Sequence, residues 1–356
     1  MRKFLLPENG QYYKANLHTH TTVSDGQMTP EETKAAYKAQ GYAIVAMTDH
    51  EVLVPHTDLN DEDFLTITGY EVATNLIDDG IKNIHMSLMK KPVPGVSYFR
   101  FMKTCHLNLY SKDPNCSVSP VWHEKFNFSE TTKKHVSAEQ WKVAFDREYT
   151  TESLNALIAK ANEEGFLVSY NHPVWSMQNY EDYAGYKGLW AIECHNSGCV
   201  NQGLPDTEQP FNDLLKLGQR VVPLATDDTH VPEDCFGGCT MVKAEKLDYG
   251  VIMQALERGD LYATTGPTID QLYIENGVVH ITCSAAKEIR LTTERRYSKR
   301  IKANDGETLM EWAIDISDYL CESTVEGMLH APFFRLVIVD EKGAKAYTRA
   351  YFVDEL

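Results

Sequence analysis

Tyr12-Tyr13-Lys14-Ala15-Asn16-Leu17-His18-Thr19-His20, followed by Ser24-Asp25-Gly26, is the stretch on which the fold turns. A strand over Tyr12 to Leu17 alternates its side chains, so His18 and His20 emerge on one face at its end. Two imidazoles there, with a carboxylate returned five residues later, suit a cation-binding mouth. The plainer reading is a pair of histidines capping a strand at the surface, and the rest of the chain weighs against it.

Thr29-Pro30-Glu31-Glu32 starts a helix, with Thr29 as N-cap, Pro30 in the first helical position and Glu32 closing a capping box; Gly41 stops it. Tyr42 to Met47 is a continuous apolar run, as expected of a parallel strand buried on both faces, and ends in Thr48-Asp49-His50. The pattern recurs. Phe64 to Thr68 leads into Gly69-Tyr70-Glu71-Val72, and Ile81 to Met89 carries His85 in another apolar segment. A helix from Thr151 to Glu164, stopped by Gly165, precedes Phe166 to Tyr170 and then Asn171-His172-Pro173. Trp190 to Ile192 delivers Glu193-Cys194-His195-Asn196, and Val221 to Ala225 delivers Thr226-Asp227-Asp228-Thr229-His230. Strand ends that repeatedly release His, Asp or Glu place the chemistry where α/β folds carry it, at the carboxyl ends of the strands.

From Pro92 to Thr150 the alternation breaks down, and an insertion over the mouth is expected, against the plainer reading of a surface excursion. Leu261 to Pro267 reads as a boundary. Beyond it, alternating strands and the Asn276-Gly277 hairpin turn predict a small β-sandwich domain over 267–356 after a barrel over 1–266.

With 356 residues and 43% apolar composition the chain can bury a sizeable core. The net charge of -17, with no Lys/Arg block, disfavours nucleic acid as a partner, and an anionic substrate needs local cations. No segment approaches the roughly 20 apolar residues of a membrane span, and a cytoplasmic location is expected. The cysteines are scattered; a zinc site from Cys194, Cys199, Cys235 and Cys239 fits structural spacings poorly, and burial explains them as well.

The strand-end groups His18, His20, Asp25, His50, Glu71, His85, His172, Asp228 and His230 offer nitrogen and oxygen ligands without thiolates. That suits Zn, Mn or Fe, and so many donors exceed what one ion can use. There is no G-x-S-x-G elbow and no phosphate-binding G-x-x-x-x-G-K-[ST] loop. Asp49 is a candidate to orient a ligand imidazole and His195 to hold a phosphate or protonate a leaving oxygen; a loop cap and a non-catalytic histidine are the plainer readings. Trp175, Tyr180 and Tyr183 read as aromatic packing before pocket lining.

In their order, His18-x-His20 with Ser24-Asp25-Gly26, Thr48-Asp49-His50, Gly69-x-Glu71, His85, Asn171-His172-Pro173 and Asp228-x-His230 resemble the PHP (polymerase and histidinol phosphatase) domain family. The resemblance implies an α/β fold, a distorted (β/α)7 TIM-like barrel holding two or three divalent Zn, Mn or Fe ions at its mouth. It places His18, His20, Glu71 and Asp228 at one site, Glu71, His85 and His172 at a second, and Asp25, His50 and His230 at a third. Asp227 stands where Ser is common, which leaves the choice between Asp227 and Asp228 to spacing. The function implied is a metal-dependent phosphoesterase that hydrolyses a small phosphorylated metabolite, a monoester, with metal-activated hydroxide. The alternatives are a nuclease like polymerase-associated PHP domains and a non-catalytic metal-containing binding protein.

Overall fold

The computed structural model describes residues 2–127 and 129–356. The chain opens with β1 (Arg2–Phe4) and β2 (Gln11–Asn16), then the capping box at Thr29 starts α1 (Pro30–Ala39) as its sequence dictates. The buried run follows as β3 (Ile44–Met47), and β4 (Leu65–Asn75) carries Glu71 within it. Asp78 caps α2 (Asp79–Lys90) by accepting from the Ile81 amide. Next come β5 (Thr104–Ser111), the short α3 (Glu130–Lys133), α4 (Thr151–Glu163) and β6 (Phe166–Tyr170). The series continues through α5 (Tyr180–Tyr183), β7 (Ala191–Asn196), α6 (Ser197–Asn201), α7 (Gln209–Lys216) and β8 (Val222–Thr226). It ends in β9 (Cys239–Ala244), α8 (Tyr249–Arg258) and β10 (Leu261–Thr264).

Neighbouring strands run in the order β9-β2-β3-β4-β5-β6-β7-β8. The pairs β2/β3, β3/β4, β6/β7 and β7/β8 are parallel, whereas β5 is antiparallel to both β4 and β6. This reversal matters for the site, because the start of β5 lies beside the carboxyl end of β4. The sheet curls: the Tyr110 hydroxyl on β5 donates across the interior to the Leu17 carbonyl at 2.8 Å. Its two ends meet through a bridge between Thr19 and Thr229 and through the Thr240 hydroxyl, which donates to the Ala225 carbonyl.

The C-terminal part contains β11 (Ile269–Glu275), β12 (Val278–Ala286), β13 (Glu288–Thr293), β14 (Ser298–Lys302), β15 (Leu309–Asp315), α9 (Ser317–Glu322), β16 (Phe333–Val339), β17 (Lys345–Thr348) and β18 (Tyr351–Phe352). One of its sheets, β1-β11-β12-β15, packs on the other through a core that includes Leu272, Ile281, Ile289, Ile314, Phe334 and Leu336. Two features differ from the expected division at residue 266. The N-terminal β1 pairs with β11, so the chain's first strand belongs to the C-terminal layer. The other sheet, β14-β13-β16-β17, continues through β10 into β9 and the curled sheet. A second tie is polar: Arg335 on β16, 2% exposed, donates to Glu208 at 2.6 Å and to Asn212 at 2.9 Å next to and within α7.

Candidate metal centre

His18 and His20 leave the end of β2 fully buried, with their Nε2 atoms 3.2 Å apart. Asp228 Oδ1 lies 3.1 Å from both. Glu71 stands at the centre. Its Oε1 is 3.1 Å from His106 Nδ1, 3.2 Å from His172 Nε2 and 3.4 Å from His18 Nε2, while Oε2 is 3.0 Å from His50 Nδ1 and 3.5 Å from His20 Nε2. At the outer edge Asp25 sits 3.7 Å from His20 and His230 and 3.8 Å from His50. Ligand atoms converge within 4.8 Å of one another in four overlapping groups: His20/Asp25/His50/His230, His18/His172/Asp228, His18/His20/Glu71 and His50/Glu71/His106.

His20 Nδ1 and Asp228 Oδ1 are buried and make no hydrogen bond within the protein. Orphaned polar atoms of this kind are costly, and two imidazole nitrogens facing each other are stabilised by a shared cation. The donor chemistry therefore fits divalent ions. The charges are strongly coupled: burial and the facing His230 and His50 push His20 down to about 4, while His50, against the effect of burial, is pushed up to about 9 by Glu71 and Asp25. Burial also opposes ionisation of Glu71, yet His106, His18 and His50 hold it well below the usual carboxylate range.

The PHP domain model matches residues 16–222, more than half of the chain. The chain belongs to the PHP family. Among solved structures, a two-domain protein from Bacteroides vulgatus "containing predicted PHP-like metal-dependent phosphoesterase" is 13% identical, with 98% of each chain covered and a TM-score of 0.43. An amidohydrolase from Chromobacterium violaceum is 14% identical over 61% of this chain and 88% of that one, with a TM-score of 0.34. A lesion-specific endonuclease from Pyrococcus furiosus is 14% identical over 69% of this chain and 56% of that one, with a TM-score of 0.38. No curated protein matches the chain.

Of the candidates drawn from the sequence, this PHP domain brings together His18, His20, Asp25, His50, Glu71, His172, Asp228 and His230. His85 is not among them. Ile81, Ile84 and Leu88 recur at helical spacing, the segment is the helix α2, and His85 lies on its exposed side against Tyr98, with ring centroids 4.5 Å apart. His106 stands in the cluster instead. Because β5 runs backwards, its second turn of the pleat faces the mouth: His106 pairs with Ala73 and Asn108 with Glu71, so His106 and Glu71 are diagonal neighbours on one face. The alternation of Cys105, Leu107 and Leu109 into the core was the available signal.

The adjacent aspartates part company. Asp228 adopts the left-handed conformation, φ 50°, and turns to the histidines. Asp227 turns away and accepts hydrogen bonds from the Ser197 and Tyr37 hydroxyls and the amides of Phe236, Gly237 and Gly238. Asp228, not Asp227, is thus the aspartate that faces the histidines.

Asp49 orients no imidazole. It accepts from the amides of Thr21 and Ser24 at 2.8 and 3.1 Å and from both of their hydroxyls, and so fixes the loop that carries Asp25. Gly26 is demanded by the same loop, because a Cβ there would lie 2.3 Å from the His20 carbonyl oxygen. His195 is also turned away from the cluster. A bulge between Glu193 and His195 breaks the alternation of β7, and the His195 nitrogens bind Asp206 at 2.7 Å and Ser197 at 3.0 Å. Its neighbour Glu193 takes the inner position. Glu193 contacts His18 Nδ1 at 2.6 Å and accepts from Thr226, Asn196 and the His172 amide, which directs the other nitrogen of His18 to the cluster. Asn171 donates to Glu71 at 2.8 Å and fixes the central carboxylate. Trp175 packs on His106 and His172 at the rim, whereas Tyr183 is buried and donates to Asp213.

Proposed function

We propose that this PHP domain is a metal-dependent phosphoesterase acting on a small phosphate monoester. The observation that carries the reading is the central Glu71 carboxylate, each oxygen of which faces a separate set of imidazoles. His18, His20, Glu71 and Asp228 would hold one ion, Glu71, His106 and His172 a second, and Asp25, His50 and His230 a third, within a curled sheet taken as a distorted (β/α)7 barrel. Divalent ions in such a site neutralise phosphoryl oxygens and lower the pKa of water to about 7.

The chain's own contribution is orientation. Glu193, Asn171 and Asn196 lock His18, Glu71 and Asp228 before substrate arrives. Hydrolysis breaks the ester P–O bond; water supplies a hydroxyl to phosphorus and a proton to the departing alcohol. The cleft over the cluster, about 300 Å³ and bounded by His106, Trp175, Gln202 and Asp234, has no lysine or arginine among the described residues of its lining. That absence and the net charge of -17 weigh against a polynucleotide substrate. The test is phosphate release from p-nitrophenyl phosphate by protein loaded with Mn and checked for metal content. Turnover that vanishes on chelation and returns with Mn is expected; full metal occupancy with no turnover supports a non-catalytic binding protein.

A further inference from the structure

A cavity of about 220 Å³ opens directly off the metal centre, sharing Asp25 and His50 with it. Its far wall comes from the insertion, through Phe126, Asn127, Ser129 and Thr132, and its base from Glu51, Ala73 and Asn75. A monoester whose phosphate sits on the cluster must put its alcohol half somewhere, and this is a chamber beside the cluster that the 92–150 segment helps to build.

Glu51 determines what the chamber takes. It is 7% exposed and held in the left-handed conformation at φ 55°. One oxygen, Oε1, accepts from the Ala73 amide at 2.9 Å and pairs with Arg147. The Glu51 carbonyl accepts from Trp122 Nε1 at 2.9 Å and from Asn127. The other carboxylate oxygen, Oε2, is buried and has no hydrogen-bond partner. Glu51 lines the chamber, and a buried carboxylate oxygen without a partner is costly unless a donor meets it. Arg147 is not available to an anion: besides Glu51 it donates to the carbonyls of Val121 and Ala73, and its guanidinium lies 3.8 Å from the centroid of Phe126. Among the described residues no lysine or arginine lines the chamber.

We infer that this chamber binds the alcohol half of the substrate, and that this half is a neutral, hydroxyl-bearing group of monosaccharide or glycerol size. The inference rests on the phosphoesterase reading. A hydroxyl of this half is the donor that Glu51 Oε2 lacks, and Asn75 and Ser129 offer further polar groups in the lining. A second phosphate or a carboxylate would meet no lysine or arginine among the described lining residues to replace its lost hydration, which disfavours bisphosphates and phosphorylated acids. An aminoalcohol is disfavoured because Arg147 already neutralises Glu51.

The experiment compares kcat/KM on Mn-loaded full-length protein for ribose 5-phosphate, glucose 6-phosphate and glycerol 1-phosphate against fructose 1,6-bisphosphate, 3-phosphoglycerate and phosphoethanolamine, with p-nitrophenyl phosphate as reference. The neutral polyol esters are expected to lead by about tenfold or more. Ala73→Leu, which fills the chamber, should lower the ratio of the best sugar phosphate to p-nitrophenyl phosphate by about tenfold at unchanged metal content. Asn75→Ala should lower it in the same direction, and it decides the matter if Ala73→Leu does not fold. Equal rates for bisphosphate and monophosphate, a lead for phosphoethanolamine, or folded variants with the wild-type ratio would overturn the inference while leaving the phosphoesterase reading intact. Failure to cleave any ester, p-nitrophenyl phosphate included, would overturn both.

Discussion

Glu193→Gln isolates the part of the site that acts through another residue. Glu193 is 4% exposed and its Oε1 lies 2.6 Å from His18 Nδ1 and accepts from Thr226 at 2.8 Å; Oε2 accepts from Asn196 at 3.0 Å and the His172 amide at 3.1 Å. Glutamine keeps the shape but can present only one acceptor, so at least one of these contacts becomes donor against donor. The lost partner leaves His18 less basic and free to turn its ring away from Asp228. Loss of such support for a ligand histidine typically costs about 10- to 100-fold in metal affinity, roughly 1.4 to 2.7 kcal/mol. The assay is Mn affinity from competition with a chelator, with folding followed by circular dichroism. The control is His195→Ala, two residues along the same strand, which removes contacts to Asp206 and Ser197 and should leave Mn affinity within about threefold. A folded Glu193→Gln protein with wild-type affinity, or a His195→Ala protein with the larger loss, would refute the assignment of Glu193 as the residue that positions His18.

His106→Ala should lose bound metal and activity, whereas His85→Ala, on the exposed side of α2, should retain both by elemental analysis and phosphate release. Glu208→Gln removes the carboxylate that pairs with the buried Arg335 and should cost about 3 kcal/mol in urea unfolding. Although burial opposes ionisation of Glu208, Arg335 and Lys345 hold its pKa below the ordinary glutamate value of 4.5; the stabilisation is therefore complete above that value and is lost as pH falls through the lower, folded one. The wild-type advantage over Glu208→Gln should accordingly shrink in acid, and a difference that grew below pH 4.5 would contradict the pairing. A fragment ending at Gly266 leaves β10 without β17 and β1 without β11, and it should aggregate on light scattering, despite carrying every ligand of the cluster.

Local chemistry made much of this legible in the sequence. The capping box at Thr29 acts within four residues, the buried runs of β3, β6 and β8 are continuous in the chain, and polar groups at their ends follow from parallel pairing. The expectation built on strand ends met its limit at β5. An antiparallel strand offers its beginning, not its end, to the mouth, so His106 is not among the groups released at strand ends, and His85 lies on a helix outside the cluster. The bulge that sends Glu193 inward and His195 outward is a matter of one inserted residue against β8, which no periodicity reveals. Nor is β1 visible locally: its short run makes sense only beside β11, more than 260 positions away in the chain.

If the converging ligands hold the ions that drive hydrolysis, turnover must follow metal occupancy. The direct measurement is phosphate release from p-nitrophenyl phosphate as apoprotein is titrated with Mn, with bound metal counted at each point. Turnover should rise with occupancy and saturate at two or three equivalents per chain, the number that the groups around Glu71, Asp228 and Asp25 could hold. Saturation below one equivalent, or full occupancy with no phosphate released, would contradict it.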